Sequence, residues 1–146
     1  WMNDKQAAVF SWIECLGLGG HAILTVPGSK GCLGCLFFGS QGPQHHPVVS
    51  FVEENQHISR NLTGCVGAFT PFSSSDSMRT ATIAMGLIDK YLSTNEGGLY
   101  DCWDGESTTA GVECIKTSAL YASGFSTMTD LKLQLKTHGC PACRVS

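Results

Sequence analysis

Two pairs of cysteines constrain this chain more than any other feature. The first lies in Gly31-Cys32-Leu33-Gly34-Cys35-Leu36-Phe37-Phe38 and the second in Gly139-Cys140-Pro141-Ala142-Cys143, so two residues separate the thiols in each. A tight turn with that spacing aims both sulfurs at one place, and four thiolates are the donor set of a closed, structural, tetrahedral Zn²⁺ site. Two local redox pairs or two disulfides are the other meaning of the same spacing. More than a hundred residues separate the pairs. An ion held by Cys32, Cys35, Cys140 and Cys143 therefore staples an early hairpin to the C-terminal tail.

At 146 residues, 42% hydrophobic and only 14% charged, the chain has the size and apolar content of one folded domain. A net charge of −3 provides no basic face for nucleic acid, and no apolar run is long enough to span a membrane. Eight cysteines without a secretory leader fit metal binding in a reducing cytoplasm better than a disulfide framework. Because Trp1 stands first and Met2 second, a piece of a longer polypeptide is expected.

Ala7 to Cys15 is β-branched and aromatic and reads as a buried strand. Gly17-Leu18-Gly19-Gly20 follows. A phosphate loop would require a helix next, but His21 to Val26 reads as a second strand, so the glycines make a tight turn. Pro27-Gly28-Ser29-Lys30 is turn chemistry. Residues 39–64 show little periodicity and form a long connection, the kind that is usually functional or disordered. Within it, His45 and His46 read as solvated rather than as ligands, and Asn61-Leu62-Thr63 is a chance glycosylation sequon.

The best helix runs from Ser77 to Ser93, capped by Ser75 or Asp76. Met78, Ala81, Met85, Ile88 and Leu92 recur at helical spacing, and Ala84, Leu87 and Tyr91 widen the stripe, which predicts a largely buried helix stopped at Gly97-Gly98. Beyond it, strands are expected at Leu99–Trp103, at Gly111–Thr117 and at the alternating Leu131–Lys136, with a turn at Asp104-Gly105. Ala119 to Thr129 fits a short helix or a loop equally well.

In this order the features resemble the C-terminal half of adenylyltransferases related to ThiF, MoeB and HesA, the bacterial relatives of ubiquitin-activating enzymes. The matching residues are Cys32 and Cys35, Gly64 to Gly67, the helix from Met78 to Leu92, Tyr100 to Gly105, and Cys140 to Cys143, and they span nearly the whole chain. Phe69-Thr70-Pro71-Phe72-Ser73 departs from the sulfur-carrier members and looks more like the activating enzymes of bacterial anti-phage operons. The resemblance implies an α/β fold across residues 1–146. That fold is the C-terminal half of a Rossmann-like adenylation domain, with a mixed β-sheet, one long buried helix and a structural zinc site. Residues 39–64 become its crossover loop, and the ATP- and Mg²⁺-binding half lies outside this chain. The implied activity is adenylation of the C-terminus of a ubiquitin-like protein, followed by capture as a cysteine thioester. Implied partners are that protein, the N-terminal half of the same enzyme, and a second copy in a homodimer.

Four cysteines remain after the zinc ligands. Cys15, Cys102 and Cys114 fall in apparent strands, where cysteine usually acts as a small hydrophobe. Cys65 lies between Gly64 and Gly67 at the end of the long connection, where a nucleophile can be exposed and mobile, and where the resemblance puts the catalytic thiol. Arg60 or His57 is a candidate to lower its pKa. Two other functions fit the same residues: a non-catalytic zinc-stabilised interaction module, and a cysteine hydrolase pairing Cys65 with His21 or His57.

Overall fold

The computed structural model describes residues 6–39, 41–56, 58–61, 68–124 and 140–143. Strand β1 (Ala8–Ile13) turns through a 3-10 segment, Cys15–Gly17, into β2 (Gly19–Thr25). The turn uses left-handed backbone at Leu16 and Gly17, and Glu14 N–H closes it onto Gly19 O at 2.8 Å. A second 3-10 segment, Leu33–Phe37, carries the first cysteine pair. Short ladders β3 (Phe38–Gly39) with β4 (Gly42–Pro43) and β5 (Arg60–Asn61) with β6 (Ala68–Phe69) follow. Then come helix α1 (Ser74–Thr94), β7 (Leu99–Asp104), and the short helices α2 (Thr108–Val112) and α3 (Ala119–Ser123).

The main sheet has the order β1-β2-β7 with β2 in the centre. Both pairings are antiparallel, His21 lying opposite Trp12 on one side and Cys102 on the other. An α/β architecture with one long helix is therefore present, but the expected mixed sheet is antiparallel throughout the described residues. No described parallel crossover imposes the other direction.

Alternation along β2 divides the core. Ala22 and Leu24 face α1 with Leu87 and Leu99, while Ile23 faces the opposite layer with Leu18, Leu36, Val49, Phe51 and the cysteine pairs. Gly20 lets α1 approach: a Cβ there would overlap the Thr80 hydroxyl and crowd the Trp103 indole. Trp103 Nε1–H donates to Thr80 Oγ1 at 2.9 Å, and Arg79 lies over the Trp103 ring at 4.2 Å.

The helix starts earlier than the cap residues predicted. Ser73 is the N-cap: its hydroxyl accepts from Asp76 N–H while Asp76 Oδ2 accepts from Ser73 N–H, a reciprocal capping box. At the other end the stop is Asn95, in left-handed conformation, two residues before the glycines. The predicted buried stripe is also corrected. Met78, Met85 and Leu92 are 73%, 57% and 75% exposed, and the covered side runs through Thr80, Ala84, Leu87 and Tyr91.

Two further expectations change. Gly111–Thr117 is not a strand: α2 buries Ala110, Cys114 turns left-handed and exposed, and only Thr117 makes an antiparallel bridge, to Val52. Cys15 sits in the 3-10 turn after β1, buried, rather than within the strand. The long connection 39–64 is anchored where it is described, with Val49 and Phe51 essentially inaccessible and Ser118 N–H donating to Phe51 O. The expected strand Leu131–Lys136 lies outside the described residues, as does the second half of Ala119–Thr129, whose first five residues form α3.

Candidate metal centre

Both cysteine pairs fold into the same local turn. Cys35 N–H donates to Cys32 O and Cys143 N–H to Cys140 O, each at 2.9 Å, so in each turn the two sulfurs project to one side. Pro141 opens the second turn, a position that needs no N–H. The turns face each other: Cys32 Sγ is 3.5 Å from Cys140 Sγ, and Cys35 Sγ is 3.4 Å from Cys143 Sγ. Within each pair the sulfurs are 4.0 Å apart, and all four lie within 4.8 Å of one another.

Those distances discriminate between the meanings of the spacing. A disulfide needs about 2.05 Å between sulfurs, and here the shortest approaches run between the pairs, not within them. Tetrahedral Zn²⁺ with Zn–S near 2.3 Å needs sulfurs ~3.8 Å apart, which the observed 3.4–4.0 Å bracket. Four soft thiol donors in a closed set fit zinc and leave no position for substrate.

Electrostatics point the same way. Cys35, Cys140 and Cys143 are buried and Cys32 is half-buried. Burial pushes the Cys32 and Cys143 thiols up. Burial pushes Cys35 up too, but hydrogen bonds from the Cys140 and Cys32 backbone and from the Cys143 and Cys140 side chains bring it below the ordinary value. The hydrogen bonds thus favour the charged form at Cys35, whereas burial opposes it at Cys32 and Cys143, where a bound cation would offset that cost. Cys32 N–H also points at Cys143 Sγ at 3.4 Å. Gly34 leaves room for the cluster, since a Cβ there would lie 3.1 Å from Cys140 Sγ and 3.4 Å from Cys32 Sγ.

The proposed nucleophile Cys65, the Gly64–Gly67 segment and His57 lie outside the described residues. Arg60, a candidate to activate Cys65, places its guanidinium on Glu113 in an exposed ion pair. His45 is exposed, and His46 Nε2–H donates to Val52 O at 2.9 Å, so neither joins the sulfurs. His21 is fully buried: its Nδ1 accepts from the Tyr100 hydroxyl at 2.7 Å and its Nε2–H donates to Glu14 Oε1 at 3.0 Å. Both His21 nitrogens are thus engaged within the interior, and the placement of Cys65 relative to them lies outside the described residues.

That buried network escapes a reading of the sequence. Glu14 Oε1 accepts from Phe51 N–H as well, at 3.2 Å, Trp12 stacks on the His21 ring at 4.8 Å, and burial pushes the Tyr100 hydroxyl far up. Its only local signal is a Glu and a His flanking a glycine turn within apolar strands. Among the described residues no helix is long and apolar enough to cross a membrane. No protein-family model, curated protein or solved structure matches this chain.

Proposed function

We propose that this chain is the zinc-stapled C-terminal part of a cytoplasmic, Rossmann-like ATP-dependent activating enzyme, acting on the C-terminus of a ubiquitin-like protein. The convergence of Cys32, Cys35, Cys140 and Cys143 carries the reading. These are the residues in which the resemblance to the ThiF, MoeB and HesA adenylyltransferases is most specific, and it requires them to form one site. In the reaction, a carboxylate oxygen of the partner attacks the α-phosphorus of ATP in the nucleotide-binding half, and pyrophosphate leaves. The Cys65 thiolate then attacks the acyl carbon, forming the thioester and releasing AMP. Zinc has no step in this sequence; it fixes the scaffold.

The two steps separate on mutation. The natural polypeptide bearing Cys65→Ala, given its ubiquitin-like partner and Mg²⁺–ATP, should exchange pyrophosphate into ATP yet form no reductant-sensitive adduct on a non-reducing gel. If the wild type neither exchanges pyrophosphate nor forms the adduct, the chain is a zinc-stabilised interaction module instead. If Cys65→Ala keeps the adduct, the nucleophile is another cysteine.

A further inference from the structure

The four sulfurs of the cluster differ in access. Cys35, Cys140 and Cys143 are 3%, 3% and 5% exposed, whereas Cys32 is only half-buried. Beside it stands Gly34, itself exposed and with no side chain to cover the sulfurs. The space its missing Cβ would fill lies 3.4 Å from Cys32 Sγ and 3.1 Å from Cys140 Sγ. A small solute can therefore reach Cys32, and Cys140 borders the same opening.

Spacing favours bridges between the two turns over bridges within them. Cys32 Sγ is 3.5 Å from Cys140 Sγ and Cys35 Sγ is 3.4 Å from Cys143 Sγ, against 4.0 Å inside each pair. A disulfide of about 2.05 Å thus needs the shorter approach across the site. Each turn is also held by its own backbone hydrogen bond, Cys35 N–H to Cys32 O and Cys143 N–H to Cys140 O. Two intact turns can close on each other, while a bridge inside one has to reshape it. A cross-link over 108 residues also restricts the unfolded chain far more than one over three.

We propose that the cluster is a redox-convertible staple: a peroxide turns the zinc-binding thiolates into two disulfides, Cys32–Cys140 and Cys35–Cys143, which hold the same two turns together. The inference rests on the zinc reading of the cluster and not on the enzymatic one. In the first step the Cys32 thiolate attacks one oxygen of the peroxide and the O–O bond breaks. Sulfur gives up two electrons, the departing oxygen takes them with a proton, and Cys32 becomes a sulfenic acid. The Cys140 thiolate then attacks the Cys32 sulfur. The S–S bond forms, the S–O bond breaks, and hydroxide leaves as water with a second proton. Two donors are then gone, and the remaining two no longer complete a closed site. A second peroxide joins Cys35 to Cys143 by the same steps. A dithiol reductant exchanges with both bridges and restores the four thiols.

The test uses the zinc-loaded natural polypeptide and hydrogen peroxide, read by zinc release to a chromophoric chelator and by peptide mapping without reductant. Trypsin leaves Cys32 and Cys35 on peptide 31–60, and Cys140 and Cys143 on peptide 137–144. The expected product is 31–60 disulfide-linked to 137–144, with the bound zinc released. In short exposures the sulfenic-acid trap dimedone should mark Cys32 ahead of the other three. With chelator present, the bridged chain should melt at a higher temperature than the reduced chain. Two double variants resolve the pairing. Cys32→Ser with Cys140→Ser leaves Cys35 and Cys143, and should bridge about tenfold faster than Cys32→Ser with Cys143→Ser, which leaves Cys35 and Cys140. Equal rates overturn the pairing. Disulfides closed within either peptide, bridges to Cys114, or oxidation without any bridge overturn the proposal. So does zinc retained at a peroxide excess that oxidises Cys114, the exposed thiol. A wild type that holds no zinc yet forms both bridges overturns the exchange of ion for disulfide and upholds the sulfur pairing alone.

Discussion

Gly34 is where a single hydrogen atom decides the metal site. Its would-be Cβ is 3.1 Å from Cys140 Sγ, closer than a carbon and a sulfur pack without displacement. Gly34→Val should weaken Zn²⁺ by about tenfold or more, as loss of supporting residues around a metal does, measured by competition with a chromophoric chelator. An unchanged affinity would mean the turn yields. Cys140→Ser should drop bound zinc from one ion per chain toward none in protein made without chelator. Glu14 offers a different contrast. Glu14→Ala leaves His21 Nε2–H and Phe51 N–H buried without an acceptor, and should cost about 2–4 kcal/mol in urea unfolding; Glu14→Gln keeps an oxygen for both and should cost less than half of that. The cysteine pairs are legible in sequence because a ligand turn is a local object with chemically fixed spacing. The Glu14–His21–Tyr100 chain is not, because its members come together only across 79 residues of separation, and nothing in either segment specifies the other.

Helix α1 shows how far periodicity reaches. At 100° per residue its apolar side chains span roughly half the wheel, from Leu87 through Tyr91 and Ala84 to Met85 and Met78. Such an arc predicts a helix and an apolar side, and both are present. Which sector meets the sheet depends on Gly20, where a Cβ would overlap the Thr80 hydroxyl, and on Trp103 reaching Thr80. The covered sector is therefore displaced from the arc's Met78–Met85–Leu92 side. Two substitutions test this. Leu87→Ala should cost about 2–4 kcal/mol by cavity formation. Gly20→Ala should cost about 1–3 kcal/mol, since the methyl must displace the Thr80 hydroxyl or the helix itself. Both follow from urea titration, and a neutral Gly20→Ala would show that α1 has slack against the sheet. The segment Gly111–Thr117, expected as a strand, instead begins inside α2, which buries Ala110.

Across the whole molecule the sulfur cluster belongs to the layer opposite α1, packed with Leu36, Val49 and Phe51, so metal binding is coupled to the folding of that layer. Thiolates must form for the ion to bind, and burial raises the Cys32 and Cys143 thiols in the metal-free protein. Their charged forms are thus favoured only with the cation, and zinc affinity should fall steadily as pH drops while protons compete for the sulfurs. Chelation at neutral pH should lower the melting temperature, and the shift should shrink as the pH of the assay is lowered, because the ion's contribution is already leaving. Calorimetric melting with and without chelator at three pH values measures it; a pH-independent shift would remove the thiolates from the account. The two halves of the site also differ in birth date. Cys140 is translated 108 residues after Cys32, roughly 5–20 s later at ribosomal speeds. During that interval the first turn offers two sulfurs and no partner, so the ion can be fully enclosed only after the Cys140–Cys143 turn has also left the ribosome.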